Sequence, residues 1–168
     1  MKSIKIRFAN ENDVESITEI YNEAITNTTA TFDTEPLSVN NRLQWLINRG
    51  KDFPVIVAEK SGLVIGFAAL NRWSDRKAYD ISAELAIYVN SNYHRCGIGW
   101  ALNSFILDVA EKTNLHTIVL RITSENKASL QLARNAGFTE VGILRSCGIK
   151  FGRLLDVVFM QKIIKQPL

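Results

Sequence analysis

The sequence predicts an α/β domain on a mixed sheet, from three observations. Strand-like and helix-like apolar patterns follow one another as strand, two helices, three strands, helix, strand, helix and two strands. In "FPVIVAEKSGLVIGFAALNRW" two apolar stretches flank a turn at Ser61–Gly62, which is a hairpin signal. In "NSNYHRCGIGWALNSF" two glycines one residue apart mark the point where a polar run becomes an amphipathic helix between two strands. That places one strand–helix–strand crossover at the centre of the sheet.

Lys2 to Phe8 alternates as a strand. A helix from about Asn12 to Ile25 follows, with Val14, Ile17, Tyr21 and Ala24 on one stripe. "TNTTATFDTEP" is too polar and β-branched to continue it and reads as a loop. Ser38 caps a second helix carrying Leu43, Leu46 and Ile47, and Gly50 ends it. After the hairpin, the charged loop "NRWSDRKAYD" leads into the strand "SAELAIYV". The third helix carries Ile98, Ala101, Leu102, Phe105, Ile106 and Val109 at the spacing of one buried face. "HTIVLRIT" is a strand, a short helix runs from about Asn126 to Gly137, and "FTEVGILRS" and "RLLDVVFMQKII" are the last two strands. Pro36, Pro54 and Pro167 sit at element boundaries, and no repeat or linker interrupts the 168 residues, which read as a single domain over 1–168.

Hydrophobic residues at 46% and charged residues at 22% give the balance of a soluble globular protein. A net charge of +3 suits a small anionic ligand but not the concentrated basic face of a nucleic-acid binder. No run approaches the roughly 18 apolar residues of a membrane span, and "MKSIKIRFAN" lacks the apolar block of a secretory signal. Two cysteines, Cys96 and Cys147, suggest no disulfide framework, so a cytoplasmic location is expected. The sequon at Asn27 carries no meaning without secretion.

A helix N-terminus presents unpaired backbone N–H groups and positive partial charge, and glycine lets a phosphate approach them closely. The plainer reading of the glycine junction is a helix start that needs a flexible turn. A P-loop needs a Gly-Lys-Ser/Thr ending, which is absent. A dinucleotide fingerprint needs a third glycine where Leu102 stands, and an acidic residue on the next strand where Arg121 stands. His94 and His116 lie in different elements with no hydrolase serine or cysteine motif beside them, and no His/Cys cluster has metal-ligand spacing.

With those readings set aside, "HRCGIG" resembles the Gln/Arg-x-x-Gly-x-Gly/Ala pyrophosphate loop of the GCN5-related N-acetyltransferase (GNAT) family. "NTTATFDTEP", "RLQWL", "AYDISAELAIYV", "SENKASLQLARNAGF" and "GIKFGRLLDVVFMQ" are similar to blocks of its phosphinothricin and methionine sulfoximine acetyltransferase branch. The resemblance covers nearly the whole chain. It implies a mostly antiparallel sheet of about seven strands with about four helices, and a parallel strand pair that splays apart. It also implies acetyl-CoA as co-substrate, no metal, and a homodimer. Carried over by position, the pyrophosphate loop is Arg95, Cys96, Gly97, Ile98, Gly99 and Trp100; the strand along which the pantetheine arm would run is Ile87, Tyr88 and Val89; Asn126 would reach the cofactor or simply cap its helix. His94 stands where Gln or Arg is usual and reads as a surface residue.

Acyl transfer to an amine needs a group that removes the ammonium proton. Glu84 is a charged residue inside an apolar strand, on the same face as Ser82, Ala86 and Tyr88, and the resemblance assigns it the role of general base. Partial burial is expected to raise its basicity. The usual proton donor to the leaving thiolate is missing: Ala133 stands at the family's tyrosine position and Phe151 where part of the branch has histidine. Water or Tyr88 is left for that task. The resemblance further implies that Ser74, Asp75 and Arg76, with Glu84, Leu85 and Ala86, contact a small amino acid analogue. Arg72 or Arg76 would then pair with its carboxylate and Asp75 with its ammonium, while Phe32 and Glu35 close the opposite side. The alternatives are another amine acceptor, such as a protein N-terminus or a polyamine, and a non-catalytic CoA-binding module.

Overall fold

The computed structural model describes residues 4–165. Strand β1 (Lys5–Phe8) leads into a single 3₁₀ turn whose start is closed reciprocally. Asn10 Oδ1 accepts from the Asn12 amide at 2.9 Å, and Asp13 Oδ2 accepts from the Asn10 amide at 2.8 Å. The expected first residues of this strand, Lys2 and Ser3, and Pro167 lie outside the described residues. Helix α1 (Val14–Asn27) buries Val14, Ile17, Ile20, Ala24 and Ile25, while Tyr21 lies half-buried at the edge of that stripe. Ser38 Oγ accepts from the Asn41 amide at 3.1 Å and caps α2 (Val39–Ile47). This helix stops before Gly50, and its expected apolar face is corrected in part: Leu46 packs on the sheet as expected, Trp45 joins it, and Ile47 is exposed.

Strands β2 (Val55–Lys60) and β3 (Leu63–Arg72) form the expected hairpin, with Ser61 at φ 56° and Gly62 at φ 83°. Two consecutive left-handed residues give a turn whose twist matches that of the flanking strands. β4 (Ser82–Val89), α3 (Ile98–Ala110), β5 (Thr117–Thr123), α4 (Lys127–Asn135), β6 (Thr139–Lys150) and β7 (Arg153–Ile163) complete the chain. On α3 the buried set is Ile98, Leu102, Asn103, Ile106, Leu107 and Ala110, so the face is turned slightly from the expected one and Ala101, Phe105 and Val109 are half-buried. β6 runs past the expected Ser146. A bulge between Leu144 and Gly148 absorbs the irregularity, and Asp156 Oδ1 accepts from the Ser146 amide at 2.8 Å.

The seven strands lie in the order β1-β2-β3-β4-β5-β7-β6. Only the β4–β5 pair is parallel; the other five neighbours are antiparallel. One sheet face is covered by α3 and α4 through Leu102, Ile106, Leu130 and Ala133 packed on Ala83, Leu85 and Ile118. Leu102 and Ile106 are fully buried, and each such side chain contributes about 2 kcal/mol of transfer free energy. The other face packs Ile17 and Ile20 of α1 on Val55, Val57 and Phe67. The period-two alternation of β4 therefore sends Leu85 toward α3, and Glu84 and Tyr88 toward the α1 side. Among the described residues no helix is long and apolar enough to cross a membrane.

Candidate active site

Pairing between β4 and β5 stops at Glu84↔Val119, although β4 continues to Val89 and β5 to Thr123. The strands part there, and beyond Glu84 that edge of β4 has no strand partner. A cavity of about 900 Å³ opens in the gap, lined by Ile87, Tyr88 and Val89 on one side and by the start of α3 on the other. Arg95 (φ 59°) and Gly97 (φ 77°) take left-handed backbone conformations and curl the loop before α3. Holding a non-glycine residue such as Arg95 there costs about 1 kcal/mol. Among the described residues, the amides of Arg95 through Trp100 donate to no protein acceptor; the first amide of this helix with a partner is that of Ala101, to Gly97 O at 3.0 Å. Six consecutive free donors at a helix N-terminus form a cradle for an anion. A Cβ added at Gly97 would meet nothing within 4 Å, so the glycine answers to its φ and to what approaches from outside, not to protein crowding.

Asn126 closes the far side of this cavity. Its Oδ1 accepts from the Ser129 amide at 3.1 Å, and its side-chain NH₂ donates to no described residue. One side chain thus caps its helix and keeps its NH₂ donors free. His94 is exposed, with Nε2 2.9 Å from Val89 O. Cys96 is exposed and lies outside the cavity lining, its Sγ 3.4 Å from His94 O.

A second cavity, about 700 Å³, meets the first at Thr29 and Tyr88. Glu84 projects into it with its side chain 18% exposed. Arg121 of β5 grips that carboxylate from Nε at 2.7 Å and Nη2 at 2.5 Å, and the ion pair raises the guanidinium pKa against the cost of burial. Trp73 stacks edge-on against Phe159, and its ring lies 5.9 Å from the Arg121 guanidinium carbon. Tyr88 packs against Tyr21 and Phe67 with ring centroids 5.0 and 5.3 Å apart, and burial pushes its phenol well above the ordinary tyrosine range. The hydroxyl of Tyr21 donates to Asp33 Oδ2 at 2.8 Å.

The loop over this cavity is fastened to β6 and to the start of α4. The ammonium of Lys150, a residue only 3% exposed, donates to Thr31 O at 2.7 Å, and burial lowers its pKa, with Asp33 acting in the opposite sense. Phe32 lies directly over Gly148, where an added Cβ would come within 2.3 Å of its ring. Thr29 Oγ1 donates to Glu125 Oε1 at 2.9 Å.

The structure brings Glu84, Ala86, Tyr88 and Phe32 to the second cavity. It brings Ile87, Val89, Arg95, Gly97, Ile98, Gly99, Trp100 and Asn126 to the first. Ser74, Asp75 and Arg76 sit on an exposed loop outside both linings, as does Glu35. Arg72 does line the second cavity, but its guanidinium is paired with Asp80. Leu85 points into the core on the opposite sheet face and is 3% exposed, so its side chain is remote from any acceptor. Ala133 is buried in the core, and Phe151 rims the first cavity in the β6–β7 turn. Tyr21, Asp33, Arg42, Arg121 and Phe159 line the second cavity without having been expected there. For Arg121 the signal was present: a charge inside the apolar run "TIVLRIT", the same cue that singles out Glu84. Among the described residues no group of three His, Cys, Asp or Glu side chains is placed to hold a metal.

Residues 6–159 match the family model described as an acetyltransferase (GNAT) domain. The chain is 37% identical over 157 residues to the L-methionine sulfoximine/L-methionine sulfone acetyltransferase of Salmonella typhimurium, covering 93% of this chain and 92% of that one. It is 32% identical to the phosphinothricin N-acetyltransferase of Streptomyces coelicolor, covering 95% of each. Among solved structures, a Salmonella typhimurium protein with its cofactor acetyl-CoA superposes with a TM-score of 0.95 at 35% identity, over 98% of this chain and 95% of that one. A ribosomal-protein-alanine N-acetyltransferase from Brucella melitensis superposes with a TM-score of 0.92 at 41% identity, over 95% and 99%. The free amides, the bare backbone at Gly97 and the unpartnered edge of β4 fit the diphosphate and the amide-bearing arm of acetyl-CoA. With its splayed parallel strands, its anion cradle and a family match over most of its length, this chain belongs to the GNAT family of acetyltransferases.

Proposed function

We propose that the chain, read as one acetyltransferase domain over 1–168, acetylates the amino group of a small amino acid analogue of the methionine sulfoximine, methionine sulfone or phosphinothricin type, with Glu84 as general base. The observation that carries this reading is the meeting of the two cavities at Thr29 and Tyr88, with the Glu84 carboxylate facing the second. Bound acetyl-CoA supplies an activated acyl carbon. The amides of residues 95–100 and the positive end of α3 would hold its diphosphate, and the free edge of β4 at Ile87–Val89 and the Asn126 NH₂ would orient its arm. In the second cavity Glu84 takes the proton of the incoming ammonium, directly or through a water. Arg121 keeps the carboxylate aimed with two hydrogen bonds. Tyr88 stays protonated throughout the working pH range because burial raises its phenol, so it serves as a hydrogen-bond donor and not as a strong acid.

A second reading, acetylation of a protein N-terminus, is favoured by the name of the Brucella relative. The loop fastened by Lys150 and Phe32 over the second cavity supports the smaller acceptor. Thiol release from acetyl-CoA across a panel of amines separates them. Turnover of L-methionine sulfoximine or sulfone well above that of an alanine-terminated peptide and a polyamine is the expected result. Peptide preference overturns the small-acceptor reading, and cofactor binding with no release on any amine leaves a non-catalytic CoA-binding module.

A homodimer is part of the same reading. The edge strand β6 and its partner β7 expose Val141, Ile149 and Leu154 at 64, 68 and 63%, apolar side chains that a second copy would cover. Light scattering at twice the chain mass is the expected result. Two free, exposed cysteines support a reducing, cytoplasmic location.

A further inference from the structure

Three arginines line the cavity that holds Glu84: Arg42, Arg72 and Arg121. Two are engaged. Arg72 is paired with Asp80, and Arg121 with Glu84. Arg42 forms no ion pair and donates no hydrogen bond among the described residues, and its Nε is fully buried without a partner. The nearby Asp33 carboxylate already accepts from the Tyr21 hydroxyl and stands beyond ion-pair distance of Arg42.

Leaving that Arg42 donor so is costly, because burial takes water from the Nε–H and returns no acceptor. What holds the guanidinium is stacking. The guanidinium carbon of Arg42 lies 4.5 Å from the ring centroid of Tyr21 and 4.6 Å from that of Trp45. Arg49 stacks on the same Trp45 at 4.4 Å, yet spends its donors on Phe53 O, Leu70 O and Asn71 Oδ1. Arg49 is thus a structural brace. Arg42 shares the ring and keeps a planar fork free toward the cavity.

We propose that Arg42 binds the α-carboxylate of the amino acid acceptor, a reading that rests on the proposed small-acceptor function. An α-amino acid carries its amine and its carboxylate on one carbon, so a site that selects it needs a base and a fixed cation in a single cavity. Glu84 is the base. A stacked, unpaired guanidinium matches a carboxylate with two parallel hydrogen bonds, which a lysine in its place would not reproduce.

The test compares L-methionine sulfone with its α-carboxamide, using full-length wild type, Arg42→Gln and Arg42→Lys. Wild type should prefer the acid. In Arg42→Gln the kcat/KM for the acid should fall about a hundredfold, while that for the carboxamide stays within a few-fold. Comparing the ratio between enzymes cancels the difference in amine basicity, and carboxamide turnover reports that the variant is folded. Arg42→Lys should restore part of the preference. An acid-to-carboxamide ratio in Arg42→Gln equal to that of wild type overturns the assignment alone. No turnover of either compound by wild type, alongside turnover of a peptide N-terminus, overturns both this assignment and the small-acceptor reading.

Discussion

Arg121 reaches across the point where β4 and β5 separate and holds Glu84 by two hydrogen bonds of 2.7 and 2.5 Å. The two residues are far apart in sequence, and the register puts Glu84 opposite Val119, two positions before Arg121. The strands part at their last parallel pairing, which opens the first cavity, and the carboxylate held there faces the second.

Glu84→Gln keeps an acceptor oxygen for Arg121 and nearly the same shape, but cannot take a proton. Turnover should fall by roughly a hundredfold or more, with acetyl-CoA affinity unchanged. Steady-state kinetics beside calorimetric titration of the cofactor check this. Undiminished turnover would remove Glu84 from its role.

Gly97→Ala forces a side chain onto a φ of 77° in the anion cradle. Stability should drop by about 1 kcal/mol, and acetyl-CoA should bind several-fold more weakly. Gly62→Ala, at φ 83° in the β2–β3 turn, carries the same strain away from the cleft and should leave that affinity alone. Equal losses of affinity in both variants would mean that the loop amides do not hold the ligand.

Gly148→Ala places a methyl group 2.3 Å from the present position of the Phe32 ring. Phe32 is 39% exposed, so its ring can swing outward, and the stability change should stay near the low end of overpacking, about 1 kcal/mol. The expected signature is a raised KM for the amine at an unchanged acetyl-CoA affinity. If both constants stay put, the loop does not shape the acceptor cavity.

Asp13 gives the fold a defined acid limb. Burial pushes its carboxyl up, but the fork from Arg7, at 2.7 and 2.8 Å, and the Asn10 amide outweigh that and hold it below the ordinary value of 3.8. A depressed folded-state pKa contributes stability that is present above about pH 4 and lost as pH falls through the lower folded value. Asp13→Asn should therefore cost about 2 kcal/mol at neutral pH, with the gap from wild type closing as the pH is taken from neutral to below about 4. Urea midpoints across that range check it; a gap that does not change with pH would show that the charge is irrelevant.

Much of the fold was legible because its causes are local. The period of two in "SAELAIYV" matches β4 residue for residue, and Ser38 and Asn126 cap the helices expected of them. The turns at Ser61–Gly62 and Gly137 fall where a positive φ is needed. The limits were also physical. The buried face of α3 depends on how it lies across the sheet, which its own spacing does not specify, and so Asn103 and Leu107 are buried where Ala101 and Val109 were expected. Helix α2 ends at Ile47 with Asn48 as its C-cap, short of the expected Gly50.

The site divides along the same line. The free amides from Arg95 to Trp100 are contiguous backbone, so a short string of residues with two glycines was enough to mark the helix start that carries them. The second cavity joins α1, α2 and strands β3 to β7, elements that become neighbours only through the strand order and the two-sided packing of the sheet. Sequence alone determined that Glu84 is a charge inside an apolar strand. Only the tertiary structure decided that Arg121 meets it, that Arg72 is spent on Asp80, and that Arg42 is left facing the cavity without a partner. Charge pairing depends on distances of a few ångströms between segments far apart in the chain, and no local pattern encodes those distances.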